Sequence, residues 1–205
     1  MKLADYPKFT IIMRGYSYAE AEAILLATAG IEQEFAVEVT LNTPNALEHI
    51  SKLNETFGSK IQIGAGTVRT LADVKEAITA GAKFLLGPHG FTTEMFEFAK
   101  SKGVLTVPSA MTPTEINEMF AAGADIVKIF PASVVTPTFF KDVQAPLGKL
   151  PLMAVGGITL ENASTFFAKG AGYLGIGSGM FQVEDLKTLN VKNLTASLQQ
   201  LLTVV

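Results

Sequence analysis

The chain has 205 residues, a length that fits one domain with a large core, and we predict a single domain over residues 1–205. The net charge of −3 and the scattered basic residues argue against nucleic acid and anionic membranes as partners. The absence of cysteine excludes disulfides, thiolate metal sites and a cysteine nucleophile. With two histidines we expect no metal site, and the short apolar run near the N-terminus predicts neither a signal peptide nor a membrane span, so we expect a cytoplasmic protein.

Apolar runs alternate with amphipathic helical segments along the whole chain, roughly every 20–25 residues. The predicted strands are Phe9–Met13, Phe35–Leu41, Ile61–Ala65, Phe84–Leu86, Val104–Val107, Ile126–Phe130, Leu152–Val155 and Tyr173–Ile176. The predicted helices begin near Tyr18, Pro44, Leu71, Thr92, Thr112, Pro137, Glu161 and Val191. This alternation without long linkers predicts an α/β fold, a (β/α)8 TIM barrel with eight parallel strands.

A doubly wound open sheet is the alternative architecture. Met-Arg-Gly at 13–15 stands where a dinucleotide-binding fold of that type carries GxGxxG, so we favour the barrel. In a barrel, chemistry gathers at the carboxyl ends of the strands and in the loops that follow. The unusual residues of the sequence fall at those positions, namely Arg14, Glu38, Thr40, 64–67, Pro88, Pro108, Ser109, Lys128, Gly156, Gly157 and 177–179.

Two charged residues interrupt apolar strands, Lys128 in DIVKIFP (125–131) and Glu38 in EFAVEVTL (34–41). Burial lowers the pKa of an amine because it disfavours the charged form, and the neutral amine can form a Schiff base with a carbonyl substrate. A buried carboxyl group can accept and return protons near neutral pH. The alternatives are a lysine that points outward, a structural buried ion pair, or an edge strand that turns both charges to water.

Glycine clusters end the seventh and eighth predicted units, at Gly156-Gly157 and Gly177-Ser178. Glycine lets backbone N–H groups approach a ligand without side-chain obstruction, and a following helix adds its positive end. Barrels commonly bind phosphate at this place, so we predict a phosphate site there. The alternative is a pair of tight turns that require positive φ.

Three further residues are candidates for the same rim. Arg14 can hold a carboxylate or a phosphate by a bidentate contact, or can form a rim salt bridge. Thr67 closes the GAGT turn (64–67), whose hydroxyl and amides can hold a carboxylate or carbonyl oxygen. Phe130 lies two residues beyond Lys128, on the same strand face, and is either an apolar neighbour of the amine or ordinary core.

Six ordered motifs between Arg14 and Phe181 resemble the 2-keto-3-deoxy-6-phosphogluconate aldolase family, which includes the 4-hydroxy-2-oxoglutarate and 2-keto-3-deoxy-6-phosphogalactonate aldolases. They are VEVTL with Glu38, IGAGTV (63–68), MTPTE (111–115), VKIFPA with Lys128, AVGGITLEN (154–162) and GIGSGMF (175–181). The resemblance implies a homotrimeric class I aldolase that needs no metal or other cofactor.

The resemblance also implies roles for single residues. Lys128 would form the Schiff base with pyruvate, and Glu38 would carry protons. Arg14 and Thr67 would line the pyruvate site, while Gly156, Gly157, Gly177 and Ser178 would receive the distal phosphate, as the positions in the matching motifs do.

Two positions depart from the gluconate-type pattern. Asn42 replaces a frequent arginine after V-T-L, and Val155 replaces a frequent threonine before the paired glycines. With Val155 the motif resembles that of the galactonate-type branch. In that branch an apolar residue stands at this position, so no side-chain hydroxyl lies beside C4 of the substrate. Ser109 replaces a frequent glycine, and the sequence assigns it no consequence.

The expected activity is cleavage of a 2-keto-3-deoxy-6-phospho sugar acid, of gluconate or galactonate type, to pyruvate and glyceraldehyde 3-phosphate. One alternative is a 4-hydroxy-2-oxoglutarate aldolase that yields pyruvate and glyoxylate. Others are a phosphate-binding barrel isomerase or synthase without a covalent lysine, and a non-catalytic barrel that binds a phosphorylated sugar acid.

Overall fold

The computed structural model describes residues 2–177 and 179–204 as one α/β unit. Within them the strands are β1 Phe9–Met13, β2 Phe35–Thr40, β3 Gln62–Gly66, β4 Phe84–Leu86, β5 Leu105–Val107, β6 Ser109–Ala110, β7 Val127–Ile129, β8 Leu152–Val155 and β9 Tyr173–Ile176. The helices are α1 Tyr18–Ala27, α2 Ala46–Phe57, α3 Leu71–Thr79, α4 Thr93–Ser101, α5 Pro113–Ala122, α6 Ala132–Val135, α7 Thr138–Leu147, α8 Leu160–Ala168, α9 Val183–Lys187 and α10 Val191–Leu202. Short 3-10 turns occupy Leu3–Asp5 and Glu32–Glu34.

The strands form a single sheet in the order β5-β4-β3-β2-β1-β9-β8-β7-β6. Each pairing in it is parallel. β1 pairs with both β2 and β9, and so connects the first strands of the chain to the last ones within the sheet. The predicted parallel barrel architecture is therefore confirmed. Its carboxyl-terminal rim is where the candidate site residues should meet.

The structure has nine strands in the described residues where the sequence predicted eight, because the predicted fifth strand is divided. Pro108 separates β5 from β6, and a proline has no N–H to offer a strand ladder. β5 pairs with β4 through Val107, whereas β6 pairs with β7 through Ser109 opposite Lys128. The two ends of the sheet are thus the two halves of one segment, and the barrel is nearly closed.

Local sequence signals account for where several helices begin. Ser17 with Glu20, Thr70 with Asp73, and Thr112 with Glu115 form capping boxes at α1, α3 and α5, which satisfy backbone N–H groups that the helix itself leaves free. Most predicted helix starts lie within two residues of the observed ones. The short helices α6 and α9 were not predicted.

Two apolar layers pack on opposite faces of the sheet. The outer core lies between the strands and the helices and includes Ile24, Phe35, Leu53 and Phe140. The inner core fills the barrel and consists of Tyr6, Ile12, Ala36, Phe84, Leu86, Leu105, Val107, Ile126, Met153 and Val155. The alternation of side chains along each strand divides the residues between these two layers.

Tyr6 closes the amino-terminal end of the inner core. Its ring packs edge-on against Phe84 and Tyr173, the first residues of β4 and β9, with ring centroids 5.1 and 5.7 Å away. Its hydroxyl lies 2.7 Å from Thr10 Oγ1 in a buried hydrogen bond. The candidate site must therefore open at the other end of the barrel.

In the part of the chain that the structure describes, none of the helices combines the length and the apolar character that a membrane span requires.

Candidate active site

Lys128 lies in β7 with its side chain inside the barrel, and only 6% of the residue is exposed. Its Nζ atom is 5.2 Å from the centroid of the Phe130 ring, so the predicted contact between the two residues is confirmed. Burial lowers the pKa of the Lys128 amine, an effect that the charge of Glu38 opposes and that of Arg14 adds to. The amine is therefore shifted toward its neutral, nucleophilic form, and the interpretation of a lysine that points outward is wrong.

Glu38 lies in β2, is 2% exposed, and faces the same interior. Burial raises the pKa of its carboxyl group, while the positive charges of Lys128 and Arg14 lower it in part. Its Oε2 atom is buried and has no hydrogen-bond partner among the described residues. A carboxyl group whose pKa is raised binds a proton more readily than an exposed one, as a group that accepts and returns protons requires.

Glu38 and Lys128 influence each other electrostatically but do not form a close ion pair. The ion pair found in residues 2–177 and 179–204 joins Lys52 to Glu48 on the surface of α2. The two inner groups therefore differ from a structural salt bridge, in which each charge would satisfy the other.

The GAGT turn makes space for the Glu38 carboxyl group. A Cβ atom added at Gly66 would overlap Glu38 Oε1 and Cδ, so any larger residue there would displace the Glu38 side chain. Thr67 follows, half-buried, with φ of 58°, a left-handed conformation that is unusual for a β-branched residue. Strained backbone of this kind persists where the surrounding structure holds it, frequently at functional sites.

A cavity of about 210 Å³ opens at the carboxyl-terminal rim. Six predicted site residues line it, namely Arg14, Phe130, Val155, Gly156, Gly157 and Gly177. It is also lined by Gly175, the first residue of the GIGSGMF motif, and by Ile12, Tyr16 and Ile158, which the sequence did not single out. Lys128, Glu38 and Thr67 do not line this cavity, but Phe130 connects it to the amine because its ring both borders the cavity and contacts Lys128 Nζ.

The paired glycines after β8 adopt positive φ, 95° at Gly156 and 73° at Gly157. An added Cβ at Gly157 would lie 2.7 Å from Ser133 Cβ, so the loop packs tightly against the start of α6. The interpretation as a tight turn is confirmed here, and the same turn borders the cavity. An added Cβ at Gly177 would meet Ile12 Cβ at 3.7 Å, an ordinary contact distance. Ser178, predicted to bind phosphate, lies outside the described residues.

Arg14 is exposed at the rim, where its Nη1 donates to Asn42 Oδ1 at 3.3 Å. The loop that carries it is fixed to the next loop, because the Gly15 N–H donates to Thr43 Oγ1 at 2.9 Å. Thr43 Oγ1 is also 2.9 Å from Thr40 Oγ1 in a buried hydrogen bond. These hydroxyls fix the backbone next to Arg14, whose side chain lines the cavity.

Within residues 2–177 and 179–204, no group of three or more histidine and acidic side chains is arranged to hold a metal ion. The chemistry that the site can perform with its own groups follows from an amine of lowered pKa and a carboxyl group of raised pKa inside a parallel barrel. That combination defines a class of barrel enzymes in which a lysine attacks a carbonyl carbon and an acid moves protons.

The comparison with known proteins agrees with this class. The family model described as "KDPG and KHG aldolase" matches residues 11–197. The chain therefore belongs to the KDPG and KHG aldolase family, whose members are carbon–carbon lyases.

Individual relatives extend over most of the chain. A probable 2-dehydro-3-deoxy-6-phosphogalactonate aldolase of Rhizobium meliloti strain 1021 is 35% identical over 173 residues, which cover 83% of this chain and 80% of the relative. The 2-dehydro-3-deoxy-6-phosphogalactonate aldolase of Escherichia coli K12 is 33% identical over 174 residues, 83% of each chain. A solved structure described as native KDPGal superimposes with a TM-score of 0.83 at 29% identity, over 96% of this chain and 95% of that one.

Proposed function

We propose that this chain catalyses the reversible aldol cleavage of a 2-keto-3-deoxy-6-phospho sugar acid to pyruvate and glyceraldehyde 3-phosphate. The observation that carries the proposal is Lys128, an amine of lowered pKa inside the barrel, opposite a buried Glu38 that it does not neutralise. Membership of an aldolase family supports the reaction type.

In the proposed mechanism, Lys128 Nζ attacks C2 of the keto acid, and loss of water gives an iminium ion that draws electrons from the C3–C4 bond. Glu38 accepts the proton of the C4 hydroxyl as that bond breaks, which releases the aldehyde and leaves an enamine on Lys128. Glu38 then returns the proton to C3, and hydrolysis of the new iminium releases pyruvate and regenerates the amine. Phe130 keeps the amine in apolar surroundings.

The remaining site residues bind the two ends of the substrate in this proposal. Arg14 and Thr67 hold the carboxylate of the pyruvate half, since the charge of Arg14 acts on Glu38 and Thr67 directly follows Gly66, which lies against the Glu38 carboxyl group. Gly156, Gly157 and Gly177 border the cavity that receives the phosphate, together with Ser178. Glycines with no side chain leave their amides accessible to an anion.

We further propose that the substrate is of the galactonate type. Val155 lines the cavity, and the two relatives at 35% and 33% identity are named as aldolases of the phosphogalactonate. A coupled assay of the gluconate and galactonate epimers beside 4-hydroxy-2-oxoglutarate tests this assignment. The galactonate epimer should give the highest kcat/KM, and a higher value for either of the others would overturn it.

Borohydride trapping with pyruvate tests the aldolase mechanism directly. Reduction should add one pyruvyl group to Lys128, found by peptide mass spectrometry, and none to the exposed Lys83 or the exposed Lys141. A label on either of those lysines, or a Lys128→Ala variant that keeps its activity, would sink the proposal. An isomerase or a non-catalytic barrel would give no reduced adduct.

The assembly and architecture complete the proposal. We propose that β5 and β6 act as one strand interrupted at Pro108, which makes a (β/α)8 barrel of a single domain, because Lys128 N donates to the Pro108 carbonyl at 2.8 Å across the break. We also propose a cytoplasmic homotrimer, as expected for this family. Light scattering of the purified protein should give three times the chain mass.

A further inference from the structure

Both carbonyl groups of the Gly156–Gly157 turn accept a hydrogen bond from outside the turn. The Gly156 carbonyl accepts the N–H of Ser133 at 3.1 Å, from the start of α6. The Gly157 carbonyl accepts Nδ2 of Asn162 at 2.8 Å, from the first turn of α8. Two separate helices therefore fix the orientation of two successive peptide planes.

The N–H groups of the same two peptides point the opposite way, because the carbonyl and N–H of a trans peptide are antiparallel. These are the N–H groups of Gly157 and Ile158, two residues that line the cavity. Neither donates a hydrogen bond to any of residues 2–177 and 179–204. The turn thus presents at the cavity two oriented donors that none of the described residues accepts from.

Two different atoms of the Asn162 side chain make two distinct contacts. Its Oδ1 accepts the Thr159 N–H at 2.9 Å, which caps α8, and its Nδ2 donates to the Gly157 carbonyl. The first contact is an ordinary helix-capping interaction. The second does nothing for the helix, because Gly157 lies outside it, and acts only on the turn.

We propose that Asn162 is a positioning residue for the distal phosphate, because its Nδ2 holds the Gly157 carbonyl so that the N–H of Ile158 faces the bound anion, next to the Gly157 N–H that the Ser133 contact orients. This inference rests on the proposed function, in which the turn receives the phosphate. Without the Nδ2 contact, the Gly157–Ile158 peptide can rotate and aim its carbonyl oxygen at the phosphate, which would repel it.

The chemistry of asparagine allows the two contacts to be separated. Asn162→Asp keeps an oxygen to cap the Thr159 N–H but loses the donor to Gly157, whereas Asn162→Ala loses both. The matched control is Glu115→Ala in α5, because Glu115 Oε2 caps the N–H groups of Met111 and Thr112 and does not touch the cavity. All three variants are compared with the unchanged protein.

In the condensation direction, both Asn162 variants should raise KM for glyceraldehyde 3-phosphate about tenfold, the scale of one charge-assisted hydrogen bond. KM for unphosphorylated glyceraldehyde and the rate of pyruvate trapping at Lys128 should stay unchanged. The Asn162→Ala and Glu115→Ala variants should lose thermal stability, and Glu115→Ala should keep the original KM.

Two kinetic results would overturn the inference. If Asn162→Ala keeps the original KM, then Asn162 is only a helix cap, and a rise seen in Asn162→Asp alone reflects its added charge. If Glu115→Ala raises KM as much as the Asn162 variants do, the effect is general destabilisation and the inference also fails.

Binding of inorganic phosphate provides a measurement that requires no aldol chemistry. Phosphate should raise the melting temperature of the unchanged protein and of Glu115→Ala, and should raise that of both Asn162 variants much less. Equal shifts in all four proteins, or no shift in the unchanged protein, would contradict the inference. Absence of pyruvate trapping in the unchanged protein would instead contradict the proposed function, so the two failures are distinguishable.

Discussion

The inner and outer cores are built from the same strands but tolerate different residues. In β2, Val37 and Val39 pack outward against the helices, while Glu38 between them faces the barrel. In β7, Val127 and Ile129 flank Lys128 in the same way. The outer core joins the sheet to its helices and is apolar, whereas the inner core carries an amine and a carboxyl group that burial disfavours.

This difference separates stability from chemistry within single strands. A buried ionised group costs several kcal/mol unless its partners compensate it, and Glu38 Oε2 has none among the described residues. The apolar outer face can offset that cost without constraining the inner face, since neighbouring residues of a strand point in opposite directions. Replacement of the charged residues of the inner core should therefore lower activity and spare stability, whereas truncation in the outer core should lower stability and spare activity.

The largest effect is expected from Lys128→Met. Removal of the nucleophile should abolish pyruvate trapping and lower kcat/KM by roughly 10⁴-fold or more. The free energy of unfolding should stay the same or rise by about 1 kcal/mol, because an apolar side chain of similar length replaces a buried amine. Enzyme assays and denaturant unfolding measure the two results, and a clear loss of stability would contradict the comparison.

The matching change in the outer core is Leu53→Ala, at a fully buried position of α2. It should lower the free energy of unfolding by about 2–5 kcal/mol through loss of packing. Its folded fraction should still trap pyruvate at Lys128. A variant that stays stable but fails to react would show that the layers are not separable.

The next largest effect is expected from Glu38→Gln, which removes the proton carrier and keeps the shape. Pyruvate should still be trapped, but exchange of its methyl protons should fall by about 10²–10⁴-fold. Exchange by NMR in deuterated water measures this, and an unchanged exchange rate would exclude Glu38 from the role.

The pH dependence of stability gives an independent check on both groups. The pKa of Glu38 is raised in the folded protein, so its protonated form contributes to stability. This contribution is fully present below about pH 4.5, the ordinary pKa of the group, and is lost as the pH rises through the folded pKa. The advantage of Glu38→Gln should therefore grow with rising pH. The pKa of Lys128 is lowered, so the advantage of Lys128→Met should grow as the pH falls through its folded pKa, below 10.5.

A smaller effect is expected from Gly66→Ala. The added methyl group would overlap the Glu38 carboxyl group, so the side chain must move, at a cost of about 1–3 kcal/mol in stability. Proton exchange should fall with it. The matched control is Gly172→Ala, where the added Cβ would meet only the Leu152 carbonyl oxygen at 3.6 Å. Equal losses in both variants would show that Gly66 has no special relation to Glu38.

The smallest effect is expected from Val155→Thr, in the wall shared by the inner core and the cavity. The new hydroxyl can hydrogen-bond a substrate hydroxyl near C4, a difference of about 1 kcal/mol. The ratio of kcat/KM should move about fivefold toward the gluconate epimer. A ratio that does not move would place the discrimination elsewhere.

Much of this arrangement could be predicted from the sequence because strands buried on both faces give continuous apolar runs, against which Glu38 and Lys128 stand out. The break at Pro108 was missed, since Ser109–Ala110 is too short to carry a pattern. Thr43 and Asn162 were missed for another reason. They act through hydrogen bonds to loops distant in sequence or outside their helix, and no local periodicity marks such contacts.

The pairing of β1 with both β2 and β9 has a consequence for biosynthesis. A ribosome adds about 5–20 residues per second, so β9, roughly 160 residues after β1, emerges some 10–30 s later. Until then one edge of β1 lacks its neighbour, and an open apolar edge is a template for pairing with other chains. The nascent chain is therefore most exposed to aggregation during translation, when a chaperone that covers β1 would protect it.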